Sequence, residues 1–578
     1  MSQTQVVAEP IAAHRRGHSN RYVVLVIVLA AAFMQLVDVS IVNTAIPSIQ
    51  SNLRASFAAI QLVLVGYILA FALTLITAAR LGDLFGRRRL FMIGMAGFTV
   101  ASALCASAPN ANVLIIARVL QGAMSGIMFP QVLSVIQVTF EPKERGKAFA
   151  IYGATVGLAT ILGPLLGGIL ISWNPLHLSW RSIFYVNLPI GVTALLAAWR
   201  HLGESTAPNP KRLDLKGAIA VALGLGLLVY PLTEGRGAGW PVWIWAMLGA
   251  SLILLAAFAV YEVRRSRSNR SPLIHMSLFS DRAFVSGSAL SMVFFMGLAP
   301  FFFTFSIFVQ IGLGYSALHT GLTVLPFAIG SGLASVASDH LAKKLGNTLL
   351  SIGCAVIVAG MIGLMATVHY AGRGVTTWQL VPSLFVSGLG LGLFIAPVTT
   401  IILAGIRSEA AGSASGVIST VQQVGGSIGI AIIGVVFFGL LSINAAHTAR
   451  QVNPRLEQSV AAASPQLAAN HSALDQSVAL FDRCFVERSR SSDPQFVPKG
   501  CPTLSPGASP AVAQSAAGAP ASPPKPVVAA FSGAATRAIG LNFSKSFQET
   551  LFYEIAVYLV AFGLVFFLPR VAPPDTHV

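Results

Sequence analysis

An all-α polytopic membrane protein, built as two six-helix halves with two helices inserted between them, is what this sequence predicts. Three observations carry that reading. Long apolar runs recur along nearly the whole chain, basic residues gather in alternate gaps between them, and the early part of the chain is echoed by the late part. The apolar runs set the class. Of 578 residues, 55% are hydrophobic and 10% charged, where a soluble domain carries about 25% charged residues. A globular core of this size does not hide so much apolar surface; lipid serves as its solvent, and a helix satisfies its own backbone there.

The runs lie at about 22–45, 57–80, 90–108, 112–138, 148–172 and 182–201, then 215–233 and 241–262, then 284–312, 318–340, 348–369, 377–403, 411–442 and 549–568. That gives about fourteen spans, most of them above the roughly 20 residues that cross a bilayer core. The first is not a cleavable secretory signal: Arg15, Arg16 and Arg21 precede it, and the run continues past Gln35 and Asp38 with no small-residue cleavage site.

Charge fixes the expected orientation. One set of alternate gaps holds Arg87, Arg88 and Arg89, then Lys143, Arg145 and Lys147, then Lys211, Arg212 and Lys216. It goes on with Arg264, Arg265, Arg267 and Arg270, then Lys343 and Lys344, then Arg407. The other set holds only Arg54, Arg181, Arg236 and Arg373 in its short loops. Basic loops stay cytoplasmic, so both termini are expected on the cytoplasmic side of the inner (plasma) membrane. The net charge of +17 is thus spent on topology. It forms no continuous nucleic-acid footprint, and no nucleic-acid partner is expected.

The repeat fixes the organisation. "RLGDLFGRRRL" after span 2 is echoed by "HLAKKLGNTLL" after span 10, with Gly86 facing Gly346 and Lys343 standing in place of Asp83. "ERGKAFAI" before span 5 is echoed by "EAAGSASG" before span 13, and Gly126 by Gly392. Spans 1–6 therefore correspond to spans 9–14. The expected divisions are a cytoplasmic tail at 1–21, a first half at 22–201, inserted helices 7 and 8 at 202–270, helices 9–13 at 271–442, an extracytoplasmic loop at 443–548, and helix 14 with a tail at 549–578. Paired halves of this kind are the signature of alternating-access carriers, with the site at the interface of the halves. The 443–548 loop is rich in Ala, Pro, Ser and Gln; its first part has amphipathic helical character and its later part reads as disordered. Cys484 and Cys501 share it, and an oxidising compartment makes them candidates for a disulfide rather than two free thiols. Cys105 and Cys354 fall in apolar runs as packing residues.

A few polar residues stand out against the apolar background. Asp38 is the only acidic residue these spans place deep in the membrane, and a buried carboxylate is driven toward protonation. That is what a proton carrier requires, against the alternative of a structural acid bonded to neighbouring helices. Arg118 in span 4 needs a partner or water to be tolerated there, and Asp38 is the candidate partner. Asp83, with Gly86, Arg87 and Arg88, closes span 2. Its carboxylate is expected at the N-terminus of span 13, near Ala411, Gly412 and Ser413, as a latch favoured by the helix dipole. The Arg cluster by itself also fits the topology rule. Gly163, Pro164, Gly167 and Gly168 let span 5 bend and approach a neighbour. Gln35, Asn43, Tyr67, Gln121, Phe129 and Gln422, with Gln423, are candidates for a central cavity of apolar walls and few polar groups; interhelical hydrogen bonding explains each of them equally well.

Five motifs in order give the chain a family resemblance. They are "LVDVSIVNTAIP" (36–47), "ARLGDLFGRRRL" (79–90), "RVLQGAMSG" (118–126), "GPLLGG" (163–168) and "WRSIFYVNLPIG" (180–191). Together they resemble the major facilitator superfamily, and within it the fourteen-helix drug:proton antiporters of EmrB/QacA type. Ala79 and Ala159 stand where that family usually has Gly. The resemblance implies a multidrug efflux carrier that exchanges protons for amphipathic or toxic small molecules. It also implies that Arg118 belongs to the coupling machinery and that 163–168 is the antiporter motif that controls leak. A periplasmic adaptor is a candidate partner. A dedicated exporter of one metabolite, lipid or siderophore is the nearest alternative, and a non-transporting sensor or scaffold a more distant one. No GxxxxGK[ST], HExxH, GxSxG or metal-type cysteine spacing is present, so neither ATP hydrolysis, enzymatic chemistry nor a cofactor is expected.

Overall fold

The structure, a computed structural model, describes residues 19–206, 214–268, 278, 280–403, 408–491, 498–499, 501 and 525–569. Among them every regular element is helical. The first group comprises α1 (Ser19–Leu53), α2 (Phe57–Phe85), α3 (Arg87–Ala106), α4 (Ala111–Thr139), α5 (Pro142–Trp173), the short α6 (Ser182–Tyr185) and α7 (Asn187–His201). A pair follows, α8 (Leu215–Ala238) and α9 (Val242–Arg267). The last group comprises α10 (Arg282–Ile307), α11 (Ala317–Leu345), α12 (Thr348–Ala371), α13 (Thr377–Leu403), α14 (Ser408–Ala463), α15 (Pro465–Ala469), α16 (His471–Arg490) and α17 (Lys525–Val565). Thirteen helices among the described residues are long and apolar enough to cross a membrane. The described apolar part of α5 is the shorter stretch Leu162–Trp173, but α5 itself runs for 32 residues. The set is consistent with the expected fourteen.

Local chemistry sets the breaks. Ser56, Asn110, Ser316 and Asp281 cap α2, α4, α11 and α10 through their side-chain oxygens. Between α2 and α3 the chain turns at Gly86 with φ +104°, a conformation that L side chains rarely adopt.

Packing sorts the helices as the repeat anticipates. α4 lies against α2, α3 and α1; α5 lies against α1; α7 against α3 and α1. In the last group α13 lies against α11 and α12, and α17 against α14, α12 and α10. α8 and α9 pair with each other, and α8 rests on α2 and α14. The two groups meet along two seams, α5 on α11 and α2 on α14.

Two helices run far beyond their expected spans. α14 continues past 442 to Ala463, and α17 begins at Lys525, well before 549. Both lie partly in the segment expected to be a loop. Hydropathy falls where the chain leaves the membrane, yet the helical period persists. Ala445, Ala449, Val452, Leu456 and Val460 of α14 form one face, and it buries against Val478, Phe481 and Phe485 of α16 and Ala534, Ala535 and Ala538 of α17. A second, smaller core results, which caps one end of the bundle. Cys484 and Cys501 are joined by a disulfide in this cap. The low-complexity stretch at 502–524 lies outside the described residues.

Candidate functional site

The first group encloses a charged network with no access to water. Asp38 and Arg118 expose 0% and 1% of their side chains. Arg118 Nη1 donates to Asp38 Oδ2 at 2.6 Å. The other carboxyl oxygen accepts from Gln121 Nε2 and from Asn187 Nδ2, each at 3.0 Å. Three helices thus meet at one carboxylate: α1 supplies the acid, α4 the Arg and the Gln one turn later, and α7 the Asn. α3 contributes Ser102, whose hydroxyl accepts from Gln121 and Asn187 and donates to the Phe184 carbonyl.

Arg118 is held on every side. Its Nη1 also donates to Gln121 Oε1 at 2.7 Å, and its Nε to the carbonyl of Val63 at 3.3 Å. The guanidinium lies 4.1 Å from the centroid of the Tyr67 ring, a desolvated cation–π contact. Tyr67 in turn donates to Ser125 at 3.1 Å. A fully buried ion pair is tolerated only with this degree of hydrogen-bond satisfaction, because desolvating both charges costs several kcal/mol each.

Sequence reasoning named Asp38, Arg118, Gln121 and Tyr67, and it left the last two open between a cavity wall and interhelical hydrogen bonding. Both are fully buried inside the network, because their polar atoms are committed to Asp38, Arg118 and Ser125. Gln35 is buried nearby, and its Oε1 has no hydrogen-bond partner among the described residues. Asn43, Phe129 and Gln422, like Gln423, are half-buried, and Phe129 packs edge-on to Phe71. A cavity of about 140 Å³ lies elsewhere, between the bundle and its cap, lined among others by Gln50, Phe57, Phe438, Phe485, Asn542 and Phe543. Asn187 and Ser102 were missed. Asn187 stands in "YVNLPIG", where an amide beside Pro189 inside an apolar run was the available signal.

Asp38 is not the only acid deep in a membrane helix, contrary to expectation. Glu554, in α17, is fully buried among the last group of helices.

Gly163, Pro164, Gly167 and Gly168 lie where α5 meets α1 and α11. A Cβ on Gly163 would collide with Ser40, and one on Gly167 would come within 2.8 Å of Ile41. At Gly168 it would stand 2.6 Å from the Leu318 Cα, and at Gly321 of α11 it would stand 2.5 Å from the Pro164 carbonyl. The motif therefore forms the close contact between the two groups. Around it, hydrogen bonds cross the seams. Ser306 donates to the Asn43 carbonyl at 2.6 Å, an acceptor left open in α1 because Pro47, four residues on, has no N–H. Gln310 donates to the Thr44 carbonyl and Gln61 to the Ile430 carbonyl. The deepest such bond, Thr420 to the Ala72 carbonyl at 3.2 Å, lies near the middle of the bundle. The described cross-seam bonds thus close the capped end.

At the opposite end, Arg87 and Arg88 meet the irregular segment that follows α7. The Arg87 N–H donates to the Ser205 carbonyl, the Arg88 N–H to Glu204 Oε1, and the Arg88 guanidinium to the Trp199 carbonyl. Glu204, which the sequence did not single out, sits at the N-terminus of α3, where the helix dipole favours a carboxylate. A Cβ on Gly86 would strike that carboxylate. Asp83 falls within α2, but its side chain and those of Ala411, Gly412 and Ser413 lie outside the described residues.

Comparison with known proteins agrees with this architecture. The profile of the Major Facilitator Superfamily matches residues 28–430. The chain is 35% identical to the "Probable actinorhodin transporter" of Streptomyces coelicolor, over 96% of this chain and 92% of that one. It is 32% identical to the "Multidrug resistance protein Stp" of Mycobacterium tuberculosis, over 74% and 76%. A solved bacterial homolog of the human lysosomal transporter Spinster, inward-facing and unoccupied, has a similar fold, with TM-score 0.59 at 14% identity, covering 96% of this chain and all of that one.

Proposed function

The chain belongs to the Major Facilitator Superfamily and is a multi-span membrane transporter, and we propose that it exports amphipathic small molecules of the drug or antibiotic kind in exchange for protons. The observation that carries the exchange is the buried pair of Asp38 and Arg118. An intramembrane acid in a carrier marks a proton or ion path. Protonating Asp38 removes the charge that holds Arg118 Nη1. Arg118 is also bonded to Val63 and stacked on Tyr67, both in α2. α2 forms the seam with α14 through Gln61 and Ala72. The proton state of Asp38 thereby reaches a surface on which the two groups rock. Gly163–Gly168 keeps the other seam closely packed, and the loop at Asp83 to Arg88 latches the basic end, which faces the cytoplasm.

A dedicated exporter is a second reading, and one observation favours it. The match to the probable actinorhodin transporter runs over 553 residues, so it must enter the cap segment. The match to Stp runs over 432 and need not. A cap shared with a protein named for one compound fits a narrower substrate range. Uptake of a panel of planar aromatic and cationic dyes into inverted vesicles under an imposed pH gradient tests both. Accumulation of several scaffolds supports broad export, and accumulation of one class supports the dedicated reading. No accumulation, with the protein shown to be folded, contradicts export.

A further inference from the structure

The network at Asp38 uses one buried acid, and the last group of helices holds another that it does not touch. Glu554 lies in the apolar part of α17, and its side chain is 0% exposed. Neither carboxyl oxygen has a hydrogen-bond partner among the described residues. The contrast with Asp38 is complete, since Asp38 has one guanidinium and two amides.

The surroundings of Glu554 are tight and apolar. α17 packs there against α10, α12 and α14. Gly297 of α10 makes the room: a Cβ on it would stand 3.2 Å from Glu554 Oε2 and 2.9 Å from Tyr558 Cζ. Tyr558, one turn further along α17, is fully buried, and its hydroxyl has no hydrogen-bond partner among the described residues. Its ring meets Phe294 edge-on at 5.2 Å, and Phe294 stacks on Phe394 of α13 at 3.7 Å. Among the described residues, the titratable groups beside it are Tyr553 and Tyr558 of the same helix, and next to Tyr558 lies the buried Cys354 of α12. None of these brings a positive charge. An ionised carboxylate here would be an uncompensated charge in hydrocarbon, which proteins avoid by neutralising the group.

We propose that Glu554 is a second proton-binding site, occupied by a proton in this conformation and exchanging it when the packing around Gly297 and Tyr558 opens to water. The ligand is the proton itself, bound as a neutral carboxylic acid. Release leaves a carboxylate, and the proton passes to water. The bound proton follows from burial alone, whereas its part in transport rests on the carrier reading above.

Infrared spectroscopy of the full-length protein in liposomes tests the first part. The wild type should show the carbonyl stretch of a protonated carboxyl that Glu554→Gln removes and Asp38→Asn leaves in place. If Glu554→Gln does not assemble, Glu554→Asp should shift that band instead of removing it. The second part is read as protons moved per substrate exported, which should fall in Glu554→Gln relative to wild type. A spectrum unchanged by the Glu554 variants overturns the proposal. So does a lost band with an unchanged proton-to-substrate ratio, which would make Glu554 a static acid. A wild type that moves no protons with any substrate would count against the exchange reading instead, and the band would still report on Glu554.

Discussion

Replacing Arg118 with Met removes the cation from a pair joined at 2.6 Å and almost wholly out of water. Breaking a buried pair from one side costs about 3–5 kcal/mol, because the remaining charge is stranded. Two features set where in that range the loss falls. Asp38 keeps the amides of Gln121 and Asn187, and hydrogen bonds to a charged group contribute about 1.5–3 kcal/mol each. Against that, the stack of the guanidinium on Tyr67 is lost, which is about 2 kcal/mol for a desolvated contact. The single variant should therefore lose about 3–4 kcal/mol of stability. Asp38→Asn alone should lose a similar amount, by stranding Arg118. The double variant Asp38→Asn with Arg118→Met strands nothing, so its loss should fall short of the sum by about 2–3 kcal/mol, at the upper end of measured couplings. Titration with a denaturing detergent in mixed micelles, read by intrinsic fluorescence, gives the three differences. Additivity within about 0.5 kcal/mol would refute the idea that the two charges hold each other in place.

Two other outcomes follow from the seam and the cap. Gly168→Val places its Cβ against the backbone of Ala317 and Leu318, which cannot swing aside, so overpacking of about 1–3 kcal/mol should push α5 and α11 apart at the capped end. A cysteine introduced at the buried Thr44 should then react faster with a membrane-impermeant thiol reagent, and an unchanged rate would contradict the closed seam. Cys484→Ser opens a disulfide that bridges 17 residues, worth about 3 kcal/mol in chain-entropy terms. Hydrogen exchange should rise across α16 and leave the membrane helices unaltered; equal exchange in α16 would show that the apolar core of the cap suffices without the bridge.

What the sequence disclosed depended on contrast. Asp38 and Arg118 were legible because charges inside apolar runs have few explanations, and the spans because lipid demands long uninterrupted ones. Asn187 and Ser102 carry no charge, and an Asn or Ser in a membrane helix has too many bland roles to stand out, so the far side of the Asp38 network stayed hidden. Tyr67 and Gln121 were singled out with two purposes left open: a polar side chain facing inward reads alike whether it lines a cavity or satisfies a buried charge. Glu204 is a loop glutamate like any other until the fold brings α7 beside the start of α3. The extensions of α14 and α17 were missed for a different reason. Hydropathy reports where a helix leaves lipid, not where it ends, and the Ala-rich face from 445 to 460 needed its partners on α16 and α17 to be recognised as a core.

Asp38 is the proposed point of proton coupling, and proton movement in proteoliposomes reads it most directly. With a pH gradient imposed and a pH dye inside, lipophilic candidate substrates should drive proton flux through the wild type. Asp38→Asn should abolish that flux while still binding the same compounds. Flux that survives the substitution would place the coupling site elsewhere and contradict the central claim.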